Sequence, residues 1–508
     1  MKRFFKSLFS RLTLTILALI LQLGLYLVVP IVFGKYFPTV PIYAILSLLA
    51  LVIVISVINS DMTVEGQLPL IILCLVAPIV GVAFCFMFLS THMPRKIKKN
   101  GKQVKAMTEA KLKLTVQQTE DLKNVCGENY GQFNYIYKTT HMPAYLNTDV
   151  KFLNSGETFF EDLKKSLKQA ESYIFMEYFI IERGKMWGEI QQILVEKVKA
   201  GVDVRLMYDD LGTMAKLPSN FAKRLCKLGI KCVKVNEYSS ATSSIYNNRD
   251  HRKITVVDGK VGYMGGANLA DEYINEVHPY GHWKDSAVRI TGDAVKNLVC
   301  LFWQMYNIHT KQIDKFDDYF AKTEQAGNGV VCPFGDAPKY WFGDHIGENV
   351  FLNLIGQAKE SIYITTPYLI IDGKLKSALI NASCRGVKVK IVTPHIPDKK
   401  FIFKITRSSY KSLQDKGIEI LEYDPGFIHA KQMLVDNQFA IVGTINFDYR
   451  SLIHHYECGV LMYNTNCIAD IQKDFEQIFA QSVNMAGFKQ NFFTRLMCAL
   501  VKLFTPLL

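Results

Sequence analysis

From about residue 150 onward the chain writes one unit twice, which restricts it to folds built from two like halves. Ala170-Glu171-Ser172-Tyr173-Ile174 corresponds to Ala358-Lys359-Glu360-Ser361-Ile362, Gly201-Val202-Asp203-Val204-Arg205-Leu206 to Gly386-Val387-Lys388-Val389-Lys390-Ile391, and Gly229-Ile230 to Gly417-Ile418. The offsets are 188, 185 and 188 residues. In each copy an amphipathic stretch, Glu157 to Gln169 or Gly347 to Ala358, leads into short β-branched runs bounded by Gly or Pro. That alternation predicts α/β units, each a mixed sheet with helices on both faces. Two copies are expected to pack as pseudo-twofold halves, so a site at their interface receives an equivalent set of residues from each.

Each copy carries the same polar constellation. The first is His251-Arg252-Lys253 through Asp258, followed by Gly265-Gly266-Ala267-Asn268; the second is His429-Ala430-Lys431 through Asp436, followed by Gly443-Thr444-Ile445-Asn446. One His-x-Lys is compatible with a solvated strand face. Two, 178 residues apart and each with the same Asp and Asn tail, are not. His and Lys two apart on a strand point the same way, and the small residues ahead of each Asn let the backbone approach an anion. Cleaving a phosphodiester without metal needs a nucleophile, a proton donor for the leaving alkoxide, and fixed positive charge around the non-bridging oxygens. Two histidines, two lysines and two asparagines supply that set, with no cofactor or metal required.

The +13 charge is unevenly distributed. Residues 1 to 105 hold eleven Lys/Arg against Asp61 and Glu65, so +9 of the charge lies there. The remainder is too weakly basic for a general nucleic-acid binder. Basic residues beside apolar runs are what a membrane orients by. Three such runs are free of charge: 12–33, 38–58 and 68–89. Each is long enough to cross about 30 Å of hydrocarbon, so three transmembrane helices are expected, or two if one run is re-entrant. A cleaved signal peptide fits poorly, because the first run is too long and further runs follow. Eleven cysteines, an odd number with no C-x-x-C pair and no His clustered at zinc spacing, argue against a disulfide framework and a structural zinc site. They favour a reducing compartment, and so a multi-pass cell-membrane protein with its catalytic part on the cytoplasmic side.

The expected organisation is therefore a membrane region over 1–105, a linking helical segment over 106–150, repeats over 151–325 and 326–486, and a terminal helix over 487–508. In that last stretch Lys489, Arg495 and Lys502 fall on one side of a helix among Phe492, Phe493, Leu496, Leu500, Leu503 and Phe504. This is the pattern of a basic amphipathic helix lying on anionic lipid.

With these residues in view, the chain resembles the phospholipase D superfamily and, within it, the bacterial cardiolipin synthases. The segments that carry the resemblance, beyond the paired motifs, are Gly265 to Tyr273, His282-Trp283-Lys284-Asp285, Thr365-Thr366-Pro367-Tyr368, Ile396-Pro397-Asp398 and Asp424 to His429. A third apolar run departs from the usual two membrane helices.

The resemblance implies ping-pong transfer of a phosphatidyl group between two phosphatidylglycerol molecules. The motif residues His251, Lys253, Asp258, His429, Lys431 and Asp436 form the catalytic set, and Asn268 and Asn446 bind the phosphate. Family position assigns Asp285 to orient His251 and Glu457 to orient His429. The aspartates Asp258 and Asp436 are expected to hold the fold rather than touch substrate; Glu177 and Tyr368 are weaker pocket candidates. The resemblance implies that His251 attacks phosphorus while His429 serves as acid and then base, with the reverse assignment left open by the pseudo-symmetry, and either phosphatidylglycerol or phosphatidylethanolamine can be the second lipid. A membrane-anchored phosphodiesterase using water as acceptor shares every one of these residues. Nothing in the sequence speaks to oligomeric state.

Overall fold

The computed structural model describes residues 19–20, 22, 39–89, 95–236, 247–310, 319–321, 327–338, 341 and 343–507. The chain divides into two units: residues 1–94, 238–248 and 492–508 form the first, and 95–237 with 249–491 the second.

The second unit holds both repeats. The strands of the first are β1 (Thr148–Leu153), β2 (Tyr173–Tyr178), β3 (Asp203–Asp209), β4 (Lys231–Val235), β5 (Ile254–Val257), β6 (Val261–Gly265), β7 (His282–Lys284) and β8 (Ala287–Gly292). Those of the second are β9 (Val330–Asp336), β10 (Ser361–Thr365), β11 (Leu369–Ile370), β12 (Lys388–Pro394), β13 (Glu419–Tyr423), β14 (Gly426–Ile428), β15 (Gln432–Val435), β16 (Phe439–Gly443), β17 (Phe447–Asp448), β18 (Glu457–Tyr463) and β19 (Ser482–Asn484). Among the described residues the main sheets run β1-β8-β6-β5-β2-β3-β4 and β9-β18-β16-β15-β10-β12-β13-β19. The orders superimpose element for element, with β19 added at the end of the second. In both, three parallel strands continue into antiparallel ones: β2-β3-β4 corresponds to β10-β12-β13, and β5-β6-β8 to β15-β16-β18. The expected duplicated α/β fold with mixed sheets is present.

The helix expected over Glu157 to Gln169 occupies Gly156–Gln169. Ser155 caps it, its side chain accepting from the Thr158 N–H while the Thr158 hydroxyl accepts from the Ser155 N–H. Phe159, Phe160, Leu163 and Leu167 recur at helical spacing and are buried against the sheet. Its counterpart, Ile346–Gln357, buries Val350, Phe351, Leu354 and Ile355 in the same way. Between the halves runs the helix Val295–His309, buried along nearly its whole length. One apolar cluster joins that helix to Phe175, Val256, Met264 and Val288 of the first sheet and to Leu434, Ala440, Val442 and Val460 of the second. The halves therefore share a core, and the chemistry between them rests on a common support.

Two expected boundaries shift. Residues 95–105, assigned above to the membrane region, begin the helix Arg95–Lys111 and belong to the second unit. Val104 is buried in the shared core, and Thr108 accepts a hydrogen bond from Gln304 at 3.1 Å. The segment expected as a linker also packs. Its helices Val116–Cys126 and Tyr130–Thr140 place Leu122, Cys126, Phe133 and Ile136 in the core of the second repeat.

In the first unit the apolar run 12–33 lies outside the described residues except for 19, 20 and 22. The second run forms the helix Thr39–Ile58, whose side chains are described from residue 44. The third is divided into Val64–Val76 and Pro78–Leu89, because Pro78 has no N–H to continue the helical ladder. Among the described residues no helix is long and apolar enough to cross a membrane, so the three continuous spans expected from the sequence are not found there. Ala50, Val54, Val57, Leu70, Cys74 and Cys85 pack together, whereas Ile45, Leu48, Leu51, Val52, Ile55, Leu75, Val76 and Phe86 face outward.

Candidate active site

The two His-x-Lys segments sit just ahead of β5 and β15 rather than on the strands themselves, as the sequence had implied. Each is held in place by the opposite repeat. The backbone N–H of His251 donates to the Tyr456 carbonyl at 2.9 Å, and that of His429 to the Lys284 carbonyl at 2.7 Å. Around them β14 pairs in parallel with β7, and Asp250 bridges to Tyr456. The residue after each accepting carbonyl is a carboxylate, so the anchoring of each histidine delivers an acceptor from the other half.

This crosses the pairing implied by the family resemblance. Nδ1 of His251 lies 2.9 Å from both Oε1 and Oε2 of Glu457, and Nδ1 of His429 lies 2.7 Å from Oδ2 of Asp285. Glu457 thus orients His251 and Asp285 orients His429, the reverse of the expected assignment. The reason is topological: each carboxylate follows the short backbone run that pairs with the other repeat's histidine segment.

All four groups are buried. Burial pulls both imidazoles below their ordinary range, and their neighbours Lys253 and Lys431 push in the same direction. Burial works to raise Glu457 and Asp285, but the adjacent histidines and their hydrogen bonds outweigh it and hold both carboxylates low. The resting state is therefore a neutral imidazole giving its Nδ1–H to an ionised carboxylate, with Nε2 carrying the free lone pair.

Lys253 and Lys431 each bond back to the carbonyl of their own histidine. Burial, partly offset by Glu457 and Asp285 respectively, holds the Lys253 ammonium down to about 8 and that of Lys431 to about 7. Two buried cations between two ionised carboxylates make a site of low dielectric, in which an anionic phosphodiester relieves the lysines.

The other expected site residues separate. Asp258 and Asp436, placed in the motif's catalytic set, both adopt left-handed backbone conformations, φ 53° and 52°. Each collects three backbone N–H groups, from Glu171, Ser172 and Tyr173 or from Lys359, Glu360 and Ser361. With their carboxylates spent tying the turn after β5 or β15 to the start of β2 or β10, they act on the fold. Asn268 accepts from the Ile180 N–H at 2.9 Å and donates to the Tyr273 hydroxyl at 2.6 Å, so its amide is largely engaged by protein. Asn446 differs, its buried Oδ1 having no hydrogen-bond partner. Glu177, the weaker pocket candidate, lies on β2 and faces Arg252 at 2.8 Å in a buried pair. The Tyr368 hydroxyl donates to Asp398 at 2.5 Å.

Three contacts escaped sequence reasoning. The Thr444 hydroxyl donates to Glu457 Oε2 at 2.5 Å. Its counterpart Gly266 has no side chain because Asp285 occupies the space: a Cβ there would stand 2.1 Å from Asp285 Oδ1. The Gly-Gly against Gly-Thr difference between the motifs was the available signal. Third, His455 lies within 3.4 Å of Glu457 Oε1. His251, His455 and Glu457 are the one group of three metal-ligating side chains among the described residues, their ligand atoms all within 4.8 Å. Those atoms bond one another, and the Lys253 charge lies beside them, so the arrangement is a hydrogen-bond network.

The profile of the family described as "Cardiolipin synthase, PLD-like domain" matches residues 163–305 and 351–479, one segment in each repeat. An uncharacterized protein of Streptococcus mutans is 40% identical over 90% of this chain and 99% of its own length. The cardiolipin synthase of Alkalihalophilus pseudofirmus is 32% identical over 85% of this chain and 86% of its own, and that of Halalkalibacterium halodurans 31% identical over 92% of each. Among solved structures, a phosphatidylserine synthase of Haemophilus influenzae superimposes with a TM-score of 0.57 at 14% identity, covering 74% of this chain and all of that one. That last likeness is one of fold.

Proposed function

The chain belongs to the cardiolipin synthase family of PLD-like proteins, and from that premise we propose that it is a phosphatidyltransferase joining two phosphatidylglycerol molecules into cardiolipin. The observation that carries the reading is the pair of buried imidazoles, each with Nδ1 on a carboxylate of the opposite repeat and a lysine beside it.

In the first half-reaction Nε2 of His251 attacks phosphorus. The bond from phosphorus to the headgroup glycerol breaks, and His429 gives its proton to the departing alkoxide. His429 is protonated for this task once an anionic phosphodiester occupies the site, because substrate charge opposes the burial that holds the imidazole neutral. The phosphatidyl group then rests on His251. In the second half-reaction a hydroxyl of another phosphatidylglycerol loses its proton to His429 and attacks phosphorus. The P–N bond breaks, cardiolipin leaves and both histidines return to their starting states. Lys253 and Lys431 hold the non-bridging oxygens, with Asn446 and the remaining donor capacity of Asn268 beside them. No step calls on a metal or cofactor.

Membrane attachment through the first unit is part of this reading. Its helices expose Ile45, Leu48, Leu51, Val52, Ile55, Leu75, Val76 and Phe86, and the helix Phe492–Lys502 exposes Phe492, Phe493, Leu496, Met497 and Leu500 around Arg495. Large apolar side chains exposed in this number are suited to contact with lipid. The catalytic unit lies on the cytoplasmic side, where unpaired thiols such as exposed Cys226 and Cys384 persist. An impermeant maleimide applied to intact cells should leave both unlabelled; ready labelling places the unit outside.

The test of the chemistry is incubation of detergent-purified protein with labelled phosphatidylglycerol in chelator. Cardiolipin with equimolar glycerol is the expected product, and phosphatidic acid alone would make the protein a hydrolase. His251→Ala and His429→Ala should each abolish turnover in a folded protein.

A further inference from the structure

The pseudo-twofold relation between the halves makes their differences informative. His429 is flanked by Trp283 of the other repeat at 5.3 Å between ring centroids and 46° between planes, and His251 is flanked by His455 at 5.4 Å and 46°. Trp283 and His455 occupy the same place, two residues ahead of the orienting carboxylate. A second ring completes each pair: Tyr273 at 5.4 Å and 79° from His429, Phe179 at 5.1 Å and 70° from His251. The steric cradle is thus duplicated while its hydrogen bonding is not. The buried indole nitrogen of Trp283 has no hydrogen-bond partner, and Asp285 accepts from His429 and from the Ser286 N–H. Glu457 instead accepts from His251, from the Thr444 hydroxyl and from His455 Nδ1 at 3.4 Å.

We infer that His455 is a positioning residue for His251, donating its Nδ1–H to the shared Glu457 carboxylate so that, with substrate bound, His251, unlike His429, stays unprotonated and ready to attack. The inference deepens the reading of this site as a phosphodiester-transfer centre and rests on it. A carboxylate that divides its lone pairs among three donors supports a proton on any one of them less strongly than a carboxylate serving one imidazole. Asp285, with a single side-chain donor, backs His429 fully and suits it to carry a proton to and from the alkoxides. The charged and titratable groups around His251 are Glu457, Lys253 and His455, of which the first favours its protonated form and the other two oppose it. His455 itself is nine-tenths buried, and its backbone N–H is fixed to the Arg450 carbonyl at 2.9 Å. It therefore has a set geometry toward Glu457.

The experiment compares the full-length protein with His455→Leu and His455→Asn, whose side chains share one branched skeleton and differ in having a donor. Consumption of labelled phosphatidylglycerol is followed across pH, with products resolved separately. His455→Leu should lower kcat about tenfold with KM within about twofold, and should move the acid limb of kcat/KM upward by about half a pH unit, as His251 becomes more basic. His455→Asn should restore both. Should His455→Leu lower the melting temperature, His455→Phe keeps a ring, lacks the donor and replaces it. Donor-less variants with wild-type kcat and acid limb, a loss confined to KM, or failure of Asn to rescue would each overturn the inference. Donor consumption without cardiolipin overturns the lipid-acceptor reading while leaving the His455 result standing. A wild-type protein that consumes no donor overturns the reading and the inference together.

Discussion

His251 and Glu457, 206 residues apart and in different repeats, form one hydrogen-bonded pair, with Nδ1 2.9 Å from each carboxylate oxygen. His429 and Asp285 form the other at 2.7 Å. Each histidine thus takes its carboxylate acceptor from the opposite half.

The crossed pairing is open to double-mutant cycles. Glu457→Gln and Asp285→Asn should each lower turnover by about 10³-fold or more, because the amide no longer fixes the tautomer or stabilises the cation. Glu457→Gln should be non-additive with His251→Gln, and Asp285→Asn with His429→Gln, as scored by the free energy of unfolding. Stronger coupling within a repeat than across repeats would refute the geometry.

The lysines set a basic limit. Their charged forms are lost as pH rises through about 7 for Lys431 and about 8 for Lys253, since burial favours the neutral amine. The free enzyme should therefore lose affinity for an anionic headgroup above pH 8, seen as a rise in KM for phosphatidylglycerol. The change in kcat should be smaller, because bound phosphate keeps both lysines protonated. A KM flat from pH 6 to 10 would exclude this role.

Stability should also respond to pH with a definite sign. Folded His251 and His429 titrate below the unfolded value of about 6.5, so between these limits the unfolded chain binds more protons. Stability is full above pH 6.5 and falls as the solution is acidified below it. Thermal melts of His251→Gln should show a shallower decline over pH 6.5 to 4.5 than the parent.

Asp258→Asn and Asp436→Asn are expected to act on folding. Asn tolerates the left-handed backbone but gives up the charge that receives three N–H groups. Each should cost about 1–3 kcal/mol of stability, read by chemical denaturation, while kcat in the folded fraction stays close to that of the parent.

Replacing Phe492 and Phe493 together by Ser should weaken sedimentation of the full-length protein with anionic vesicles. Both rings are largely exposed, so folding should be unaffected. Undiminished vesicle binding would remove this helix from the lipid contact.

The duplicated motifs, the constant offsets and the helix at Gly156–Gln169 were legible because each depends on local order: side-chain periodicity, capping and small residues where the backbone turns. What the linear order could not carry was the partner of each histidine. Asp285 lies nearer His251 in the chain, yet pairing of β14 with β7, and of Asp250 with Tyr456, brings it to His429. The same limit hid His455 and Thr444, ordinary residues until β18 places Glu457 between them and His251. Which reactive groups exist, and that they come in two sets, is written in the chain, since covalent order preserves repeats and spacing. Which of them meet is a property of the packed molecule, because hydrogen bonds between distant segments form where the packing of two sheets on one buried helix brings them together.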